Sequence, residues 1–208
     1  MKKANLKRVI QKKYAVTTTD SKHDYPVAEN HLNRPFNPVK PGQAWVSDLT
    51  YIRPNEGWLY LTIVMDLYDR RIIGWSLSTS MKAAETTIPA WQMAVKNRPI
   101  EGRRRLIFHS DRGVQYACHA FTGMLKKHPT VLPSMSGKGN CWDNAVGESF
   151  FKTLKSEMVY QQAFQSRAIA KQAVFEYVAI WYNRQRRHSA LGYLSPFDYY
   201  NGQLENVA

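Results

Sequence analysis

Three acidic residues of this 208-residue chain interrupt segments that are otherwise largely apolar. Asp48 lies in QAWVSDLTYI, a strand-like segment in which its side chain projects from a core-like face. Asp111 ends RLIFHSD just before a glycine turn, and Glu148 lies in the helix-like segment CWDNAVGESFFKTLKSE. Taken singly, each carboxylate is more often a cap, a turn residue or an ion-pair partner than a functional group.

Brought together, the three carboxylates would favour one particular chemistry. Their ionised forms repel one another unless cations compensate the charge. Mg²⁺ and Mn²⁺ are suited to that role because hard divalent ions prefer carboxylate oxygen. Two such ions about 4 Å apart can clamp the attacking and leaving oxygens of an in-line displacement at phosphorus. The three acids are therefore a candidate two-ion site for phosphodiester chemistry.

The excess of positive charge points to the same kind of substrate. The formal charge is +13 and the isoelectric point is near 9.8, which favours nucleic acid first and an acidic membrane surface second. A basic surface without a partner is the alternative. Nine Lys or Arg face three acids within residues 1–42. We predict a basic extended arm there, which adds salt-sensitive DNA affinity, and a catalytic core over 43–208.

The same composition argues against several other classes of protein. No segment approaches the roughly 18 consecutive apolar residues that a membrane-spanning helix needs. The basic N-terminal segment lacks the apolar stretch of a secretory signal. Two cysteines, Cys118 and Cys141, cannot make a disulfide framework or a four-cysteine zinc site. We predict a cytoplasmic protein with reduced thiols and no membrane partner.

The order of predicted elements indicates an α/β fold. Three adjacent strand-like segments precede a helix–strand–helix–strand alternation, which predicts a mixed sheet flanked by helices. The second and third segments are apolar at nearly every position, as is typical of strands covered on both faces. Strands are predicted over 43–52, 57–69, 70–78, 105–111 and 130–135, helices over 82–98, 117–128, 143–159 and 166–187, and a loop over 136–142.

The helix predicted over 143–159 has two distinct faces. At 100° per residue, Glu148 shares one face with Asn144, Lys152 and Lys155. Asp143 is the predicted N-cap. The opposite side is apolar and is expected to be buried, so the helix presents an acid flanked by an amide and two amines. The apolar set comprises Val146, Phe150, Phe151, Leu154 and Met158.

Four motifs in order resemble the catalytic region of bacterial insertion-sequence transposases. They are WVSDLTYI, HSDRGVQY, SMSGKGNCWDNAVGESFFKTLKSE and YNRQRRHSALGYLSP, and the resemblance runs from about residue 14 to the end. In particular, they are similar to the insertion-sequence-three family, whose second reading frame (OrfB) encodes an integrase-like core. The resemblance implies a ribonuclease-H-like fold of the retroviral integrase superfamily, with a five-stranded mixed sheet and a DDE metal site.

By position, the resemblance implies that Asp48, Asp111 and Glu148 are the first, second and third catalytic acids and the metal ligands. Lys155, seven residues after Glu148, matches the basic position that these enzymes and retroviral integrases use near the DNA end. The interval between the second and third acids is 36 residues, one more than is usual in the family. We expect the extra residue to lie in the loop segment KKHPTVLP, where an insertion leaves the site intact.

Further candidates for DNA contact follow from the same resemblance. Asn144 and Lys152 share the face of Glu148. His109, beside Asp111, either supports the site or is a packed structural histidine, and packing is the favoured interpretation. The end of the last helix concentrates cations that either contact phosphate or interact with a helix C-terminus, with phosphate contact favoured: Arg184, Arg186 and Arg187.

The last predicted helix also carries apolar residues that indicate a core-packed face. The set comprises Ile169, Ala173, Phe175 or Tyr177, and Ile180–Trp181. Trp181 and Tyr182 could stack on unpaired bases, but core packing is the favoured role.

The family resemblance implies polynucleotidyl transfer. Water cuts one strand at the element's end, and the freed 3′ hydroxyl then attacks another phosphodiester. The implied partners are DNA element ends and target DNA, bound by a homo-oligomer at the bacterial nucleoid. Family members usually carry helix-turn-helix units upstream, and we expect this chain to begin after them. Two alternatives remain open: a hydrolytic nuclease of the same fold, and a non-catalytic DNA-binding remnant that assembles with a full-length transposase.

Overall fold

The sheet forms as the sequence predicts. A computed structural model describes residues 23–32, 38–100, 102, 104–137 and 144–205. Its strands are β1 (Ala44–Ile52), β2 (Leu59–Asp66), β3 (Ile72–Ser78), β4 (Leu106–Ser110) and β5 (Val131–Met135). They form one sheet in the order β3-β2-β1-β4-β5. The first three strands pair antiparallel, and β4 runs parallel to both β1 and β5, which confirms the predicted mixed sheet.

The register of the sheet brings two of the predicted acids to the same level. Val46 of β1 pairs with His109 of β4 in parallel orientation. Continuing that register by two residues sets Asp48 level with Asp111, which directly follows β4. Successive side chains of a strand point to opposite faces, so Asp48 shares the face of Val46. The edge beyond the carboxyl ends of parallel strands is where ligands bind in α/β sheets.

Helices cover both faces of this sheet. Trp91 and Phe121 bring the helices after β3 and β4 against one face, whereas Phe150 and Val174 bring later helices against the face of Val46. No helix in the described ranges is long and apolar enough to cross a membrane. The helices are α1 (Thr87–Asn97), α2 (Val114–Ala117), α3 (His119–Lys126), α4 (Ala145–Glu157), α5 (Arg167–Phe175), which continues as a π-helix (Glu176–Tyr182), and α6 (Pro196–Glu205).

Helix boundaries depart from the predictions for identifiable reasons. α1 begins at Thr87, so Pro89 lies in its first turn, where a missing N–H removes no helical hydrogen bond. α6 was not predicted, although SPFD carries a capping signal. The Oγ of Ser195 accepts from the backbone N–H of Asp198 at 3.1 Å and donates to its carboxylate at 2.6 Å. The predicted N-cap Asp143 and most of the 136–142 loop lie outside the described residues.

The inward face predicted for the last helix is correct only in part. Tyr177 and Tyr182 are buried and Ala173 packs against the core, as predicted. Ile169, Phe175 and Trp181 are instead about half exposed, and the fully buried positions are Ala170 and Val174. Two adjacent stripes of this helix are apolar, and the one that contains Ala170, Val174 and Tyr177 is buried in the core. Beyond α5, π-helical turns shift the angular position of each later side chain, which a 3.6-residue period does not anticipate.

Part of the predicted N-terminal arm lies against the core. Leu32 is 1% exposed and belongs to the core cluster on the face of Val46. The Oγ of Ser134 in β5 accepts from the backbone N–H of Leu32 at 3.3 Å. His23 Nε2 is 2.7 Å from the carbonyl oxygen of Arg112, next to Asp111. The boundary at residue 42 stays a prediction, and residues 1–22 and 33–37 lie outside the described part of the chain.

A buried ion-pair cluster fixes the end of β2 and the turn into β3. The guanidinium of Arg98 lies 2.6 Å from a carboxylate oxygen of Asp66 and 2.6 Å from one of Asp69. Both aspartates are fully buried. The indole N–H of Trp45 and the backbone N–H of Gly42 also donate to Asp66, at 3.0 and 2.8 Å. Asp66 is therefore a structural anchor at the end of β2.

Candidate active site

Asp48 lies where helix α4 approaches strand β1 most closely. The side chain is half-buried, and one carboxylate oxygen accepts from the backbone N–H of Leu49 at 2.8 Å. Gly147 of α4 faces it: a Cβ added at Gly147 would lie 3.2 Å from the Asp48 Cβ. The absence of a side chain at Gly147 is thus what lets the helix that carries Glu148 pack against this strand.

Asp111 is held by the turn that follows β4. Its Oδ1 accepts from the backbone N–H of Gly113 at 2.8 Å, which is an Asx turn. A Cβ added at Gly113 would lie 2.9 Å from that oxygen, so glycine is the residue that fits. Arg112 Nε donates to the carbonyl oxygen of Ser136 at 2.5 Å, and this bond ties the turn to the end of β5.

Glu148 completes a group of three carboxylates that interact electrostatically. It lies in the first turn of α4 with an exposed side chain, and desolvation raises its pKa. Burial, then the charge of Asp111 and then that of Glu148 raise the pKa of Asp48 well above its usual range. Three residues far apart in sequence therefore contribute negative charge to one small region at the edge of the sheet.

Lys155 supplies positive charge to that region. Its Nζ lies 4.4 Å from the ring centroid of Tyr51, three residues after Asp48 on β1. Burial lowers the pKa of Lys155, and the charge of Asp48 opposes that shift. Lys155 in turn lowers the pKa of Asp48. Lys152, one turn earlier on α4, is exposed to solvent.

Asn144 links the beginning of α4 to β1. Its Nδ2 donates to the carbonyl oxygen of Ser47 at 3.2 Å, and the residue is 4% exposed. Its Oδ1 is buried and has no hydrogen-bond partner in the part of the chain that the structure describes. The predicted DNA-contact residue thus makes a protein contact beside Asp48, with one acceptor oxygen left over.

The donor set fits a hard divalent cation. Mg²⁺ or Mn²⁺ would compensate the charges of Asp111 and Glu148 that raise the pKa of Asp48, and would satisfy the buried amide oxygen of Asn144. Within the described residues, no group of three or more His, Cys, Asp or Glu side chains is close enough to hold a metal ion as it stands.

The other predicted site residues lie away from the carboxylates or act in packing. His109 is fully buried, with Nδ1 2.8 Å from Ser134 Oγ and Nε2 3.2 Å from Ser136 Oγ, which supports the favoured packing role. Arg186 pairs with Glu157 at 2.9 Å. The guanidinium carbon of Arg184 lies 5.3 Å from the ring centroid of Phe197. Arg187 is exposed beside a cavity.

Two aromatic residues near the site were not anticipated. Tyr51 carries the contact with Lys155. Tyr116 of α2 places its hydroxyl 2.8 Å from Ser47 Oγ, and burial, then Asp111 and Asp48, raise its pKa. Strand alternation predicts that the side chains of Ser47 and Asp48 point to opposite faces of the sheet. No sequence signal identifies Tyr116 as the partner of Ser47, because that contact depends on how α2 packs.

Comparison with known families identifies the class of this protein. The integrase core domain family matches residues 38–141, and a second integrase core domain family matches residues 148–204. The "Insertion element IS600 uncharacterized 31 kDa protein" of Shigella sonnei is 45% identical over 190 residues, covering 91% of this chain and 68% of the relative. The chain therefore belongs to the integrase core domain family.

Within that family, its relatives confirm the resemblance to insertion-sequence-three transposases. "Transposase InsF for insertion sequence IS3A" of Escherichia coli K12 is 46% identical over 184 residues, which is 88% of this chain. This chain spans 62% of the length of that relative. Over most of its own length, this chain is thus similar to a transposase of the insertion-sequence-three type.

Solved structures confirm the fold. The catalytic core domain of BIV integrase superposes with a TM-score of 0.55 at 16% identity, over 80% of this chain and 99% of that one. A simian T-cell lymphotropic virus intasome gives a TM-score of 0.63 at 12% identity, over 87% and 60%. The HTLV-2 integrase core in complex with magnesium gives 0.51 at 14% identity, over 73% and 92%. The predicted ribonuclease-H-like, integrase-type fold is correct.

Proposed function

We propose that this chain is the catalytic region of a DNA transposase that cuts and joins DNA strands with divalent metal ions. The observation that carries the proposal is that the strand register sets Asp48 level with Asp111, while Gly147, next to Glu148, lies against Asp48. Such a concentration of negative charge in a chain of net charge +13 suits cations and a polyanionic substrate. Relatives named as transposases support the assignment.

The proposed chemistry consists of two displacements at phosphorus. In the first, water attacks the phosphodiester at the element's end, and the bond to the 3′ oxygen breaks to leave a 3′ hydroxyl. In the second, that hydroxyl attacks another phosphodiester, and the displaced strand leaves with its own hydroxyl. The number of phosphodiester bonds is unchanged in the joining step, so strand transfer needs no external energy source and no covalent protein intermediate.

Each residue of the site has a proposed task. Asp48, Asp111 and Glu148 would hold two Mg²⁺ or Mn²⁺ ions, which supply Lewis-acid activation and charge neutralisation when bound. Asp48 lies on β1 and Asp111 in the turn after β4, whereas Glu148 is exposed on α4. Lys155, held over Tyr51 beside Asp48, is placed to orient a substrate phosphate. Lys152 is the second proposed phosphate contact on the exposed side of the helix.

Partners are part of the same proposal. We assign DNA element ends and target DNA as substrates, and a homo-oligomer on DNA as the active assembly at the nucleoid. A structure of the HTLV-2 integrase core is a dimeric form with magnesium, and the simian viral integrase is found in an intasome. This chain does not span the full length of the related transposase. The proposed function therefore does not include recognition of specific element ends.

The test compares the protein with Glu148→Gln on supercoiled plasmid in Mn²⁺. The matched control is Glu176→Gln, an exposed glutamate of the π-helix. We expect nicked and joined products from the parent and the control, and at least a hundredfold loss in Glu148→Gln with unchanged thermal unfolding. Equal products from Glu148→Gln would overturn the assignment. Cut ends without any joined strands would instead identify a hydrolytic nuclease.

A further inference from the structure

A basic cavity lies beside the proposed active site, on the neighbouring face of α4. Its volume is about 560 Å³, and it is open between α4, the turn from β2 to β3 and the chain that follows the π-helix. Three arginines and several hydroxyl groups line it, and no carboxylate is among its described lining residues. The residues that matter here are Arg70, Arg186, Arg187, His188, Ser149 and Thr153.

The lining groups favour an anion over other ligands. Arg186 is paired with Glu157 at 2.9 Å, so its charge is partly compensated, whereas Arg187 is exposed. His188 Nε2 is buried and has no hydrogen-bond partner within the described residues. Arginine and hydroxyl groups are the side chains that most often donate to phosphate oxygens in nucleic-acid complexes.

Arg70 is held at the cavity by an uncommon backbone conformation. Its φ is +59°, in the left-handed region that non-glycine residues rarely adopt. The adjacent Asp69 is anchored by the buried guanidinium of Arg98 at 2.6 Å, which fixes the turn. Burial lowers the pKa of Arg70, so its guanidinium is partly removed from water at the cavity.

The cavity is continuous with the helix surface that carries the third acid. Ser149, which lines the cavity, directly follows Glu148, and the two side chains are about 100° apart around the helix. Thr153 lines it one turn further on, next to Lys152. A nucleic-acid strand that crosses the Glu148–Lys152 surface therefore reaches the cavity within about one helix radius.

We propose that this cavity binds a backbone phosphate of the DNA strand next to the one being cut. The inference rests on the proposed function, which supplies the polyanion. Arg70 and Arg187 supply the charge, and the hydroxyls of Ser149 and Thr153 supply neutral hydrogen bonds. The site reads no base sequence, because its donors are suited to phosphate oxygens, and it fixes the register of the strand on the protein.

The test measures DNA binding in EDTA, where chemistry cannot occur. The probe is a fluorescent 30-base-pair duplex, and the variants are Arg187→Gln and Arg70→Asn, since asparagine tolerates the left-handed region. The matched control is Arg105→Gln, an exposed arginine away from the cavity. We expect each cavity variant to bind about tenfold more weakly and to lower the salt slope by about one, with the control unchanged.

Duplexes in which uncharged methylphosphonates replace the phosphates of one strand test the contact itself. They should weaken binding to the parent more than binding to the double variant Arg70→Asn/Arg187→Gln, which has already lost the phosphate contact. An equal penalty in both proteins would overturn the proposal. Competition by inorganic phosphate or polyglutamate with unchanged DNA affinity in the variants would overturn it in favour of a free anion or an acidic protein. Glu148→Gln should retain full DNA affinity, which separates this test from that of catalysis.

Discussion

The Cβ of Asp48 lies 3.2 Å from the point where a side chain on Gly147 would begin. This contact sets the distance between the strand of the first acid and the helix of the third. A methyl group there would also lie 3.1 Å from Asn144 Oδ1, so the helix would have to shift by a few tenths of an ångström.

We therefore expect Gly147→Ala to lower strand-cutting activity at least tenfold, because catalysis depends on sub-ångström placement of the acids. The matched control is Gly123→Ala in α3, where an added Cβ meets nothing within 4 Å. That control should raise the free energy of unfolding by about 0.5–1 kcal/mol and leave activity unchanged. Full activity of Gly147→Ala would show that the close approach is not needed.

The acid cluster should reduce the stability of the metal-free protein. Asp48 has a raised pKa when folded, so between its unfolded pKa near 4 and the folded value the native state binds more protons. Stability therefore falls as pH rises through that window. In EDTA at pH 7, we expect Asp48→Asn to unfold at a higher temperature than the parent, by about 2–4 °C for each kcal/mol gained.

At pH 4 the difference should shrink, because Asp48 is then largely protonated in the native state and its charge no longer opposes folding. Asp24→Asn, at an exposed position, is the control and should match the parent at both pH values. Added Mg²⁺ should stabilise the parent and not Asp48→Asn. A lower melting temperature for Asp48→Asn at pH 7 in EDTA would contradict the electrostatic account.

The buried cluster around Arg98 should be a stability determinant. Arg98→Met leaves Asp66 and Asp69 without their compensating cation in the interior, which costs about 3–5 kcal/mol in comparable buried pairs. Denaturant unfolding measures the change, with the exposed Arg105→Met as the control, expected within about 0.5 kcal/mol of the parent. A loss below about 1 kcal/mol would mean that the aspartates are protonated or hydrated in the variant.

His188 should make the protein sensitive to mild acid. Burial, then the charges of Arg186 and Arg70, lower its pKa to about 4, against about 6.5 when unfolded. Between these values the unfolded state binds more protons, so stability is present above pH 6.5 and falls as pH decreases toward 4. Denaturant titration should therefore show that the stability of the parent, relative to that of His188→Gln, decreases as the pH is lowered from 6.5 toward 4. A pH-independent difference would contradict the shift.

Local patterns were sufficient for the elements that carry one strong periodicity. The alternation and apolar density of 43–52, 57–69 and 70–78 predicted the first three strands, and the wheel of α4 predicted its buried Phe150 and Leu154. The same reasoning failed for the last helix. Two adjacent stripes of this helix are apolar, so the sequence pattern alone does not show which of them is buried. Packing in the core selects the stripe that contains Ala170 and Val174.

The sequence by itself determined the residue types of the site, its basic surroundings and, through the spacing of its motifs, the family. Tertiary structure decided which groups interact. The parallel register of β1 and β4 sets Asp48 level with Asp111, and Gly147 admits the helix of Glu148. The cavity at Arg70 also depends on packing, since its walls come from three distant segments. Side-chain chemistry is encoded locally, whereas distances between remote residues exist only after the core has packed.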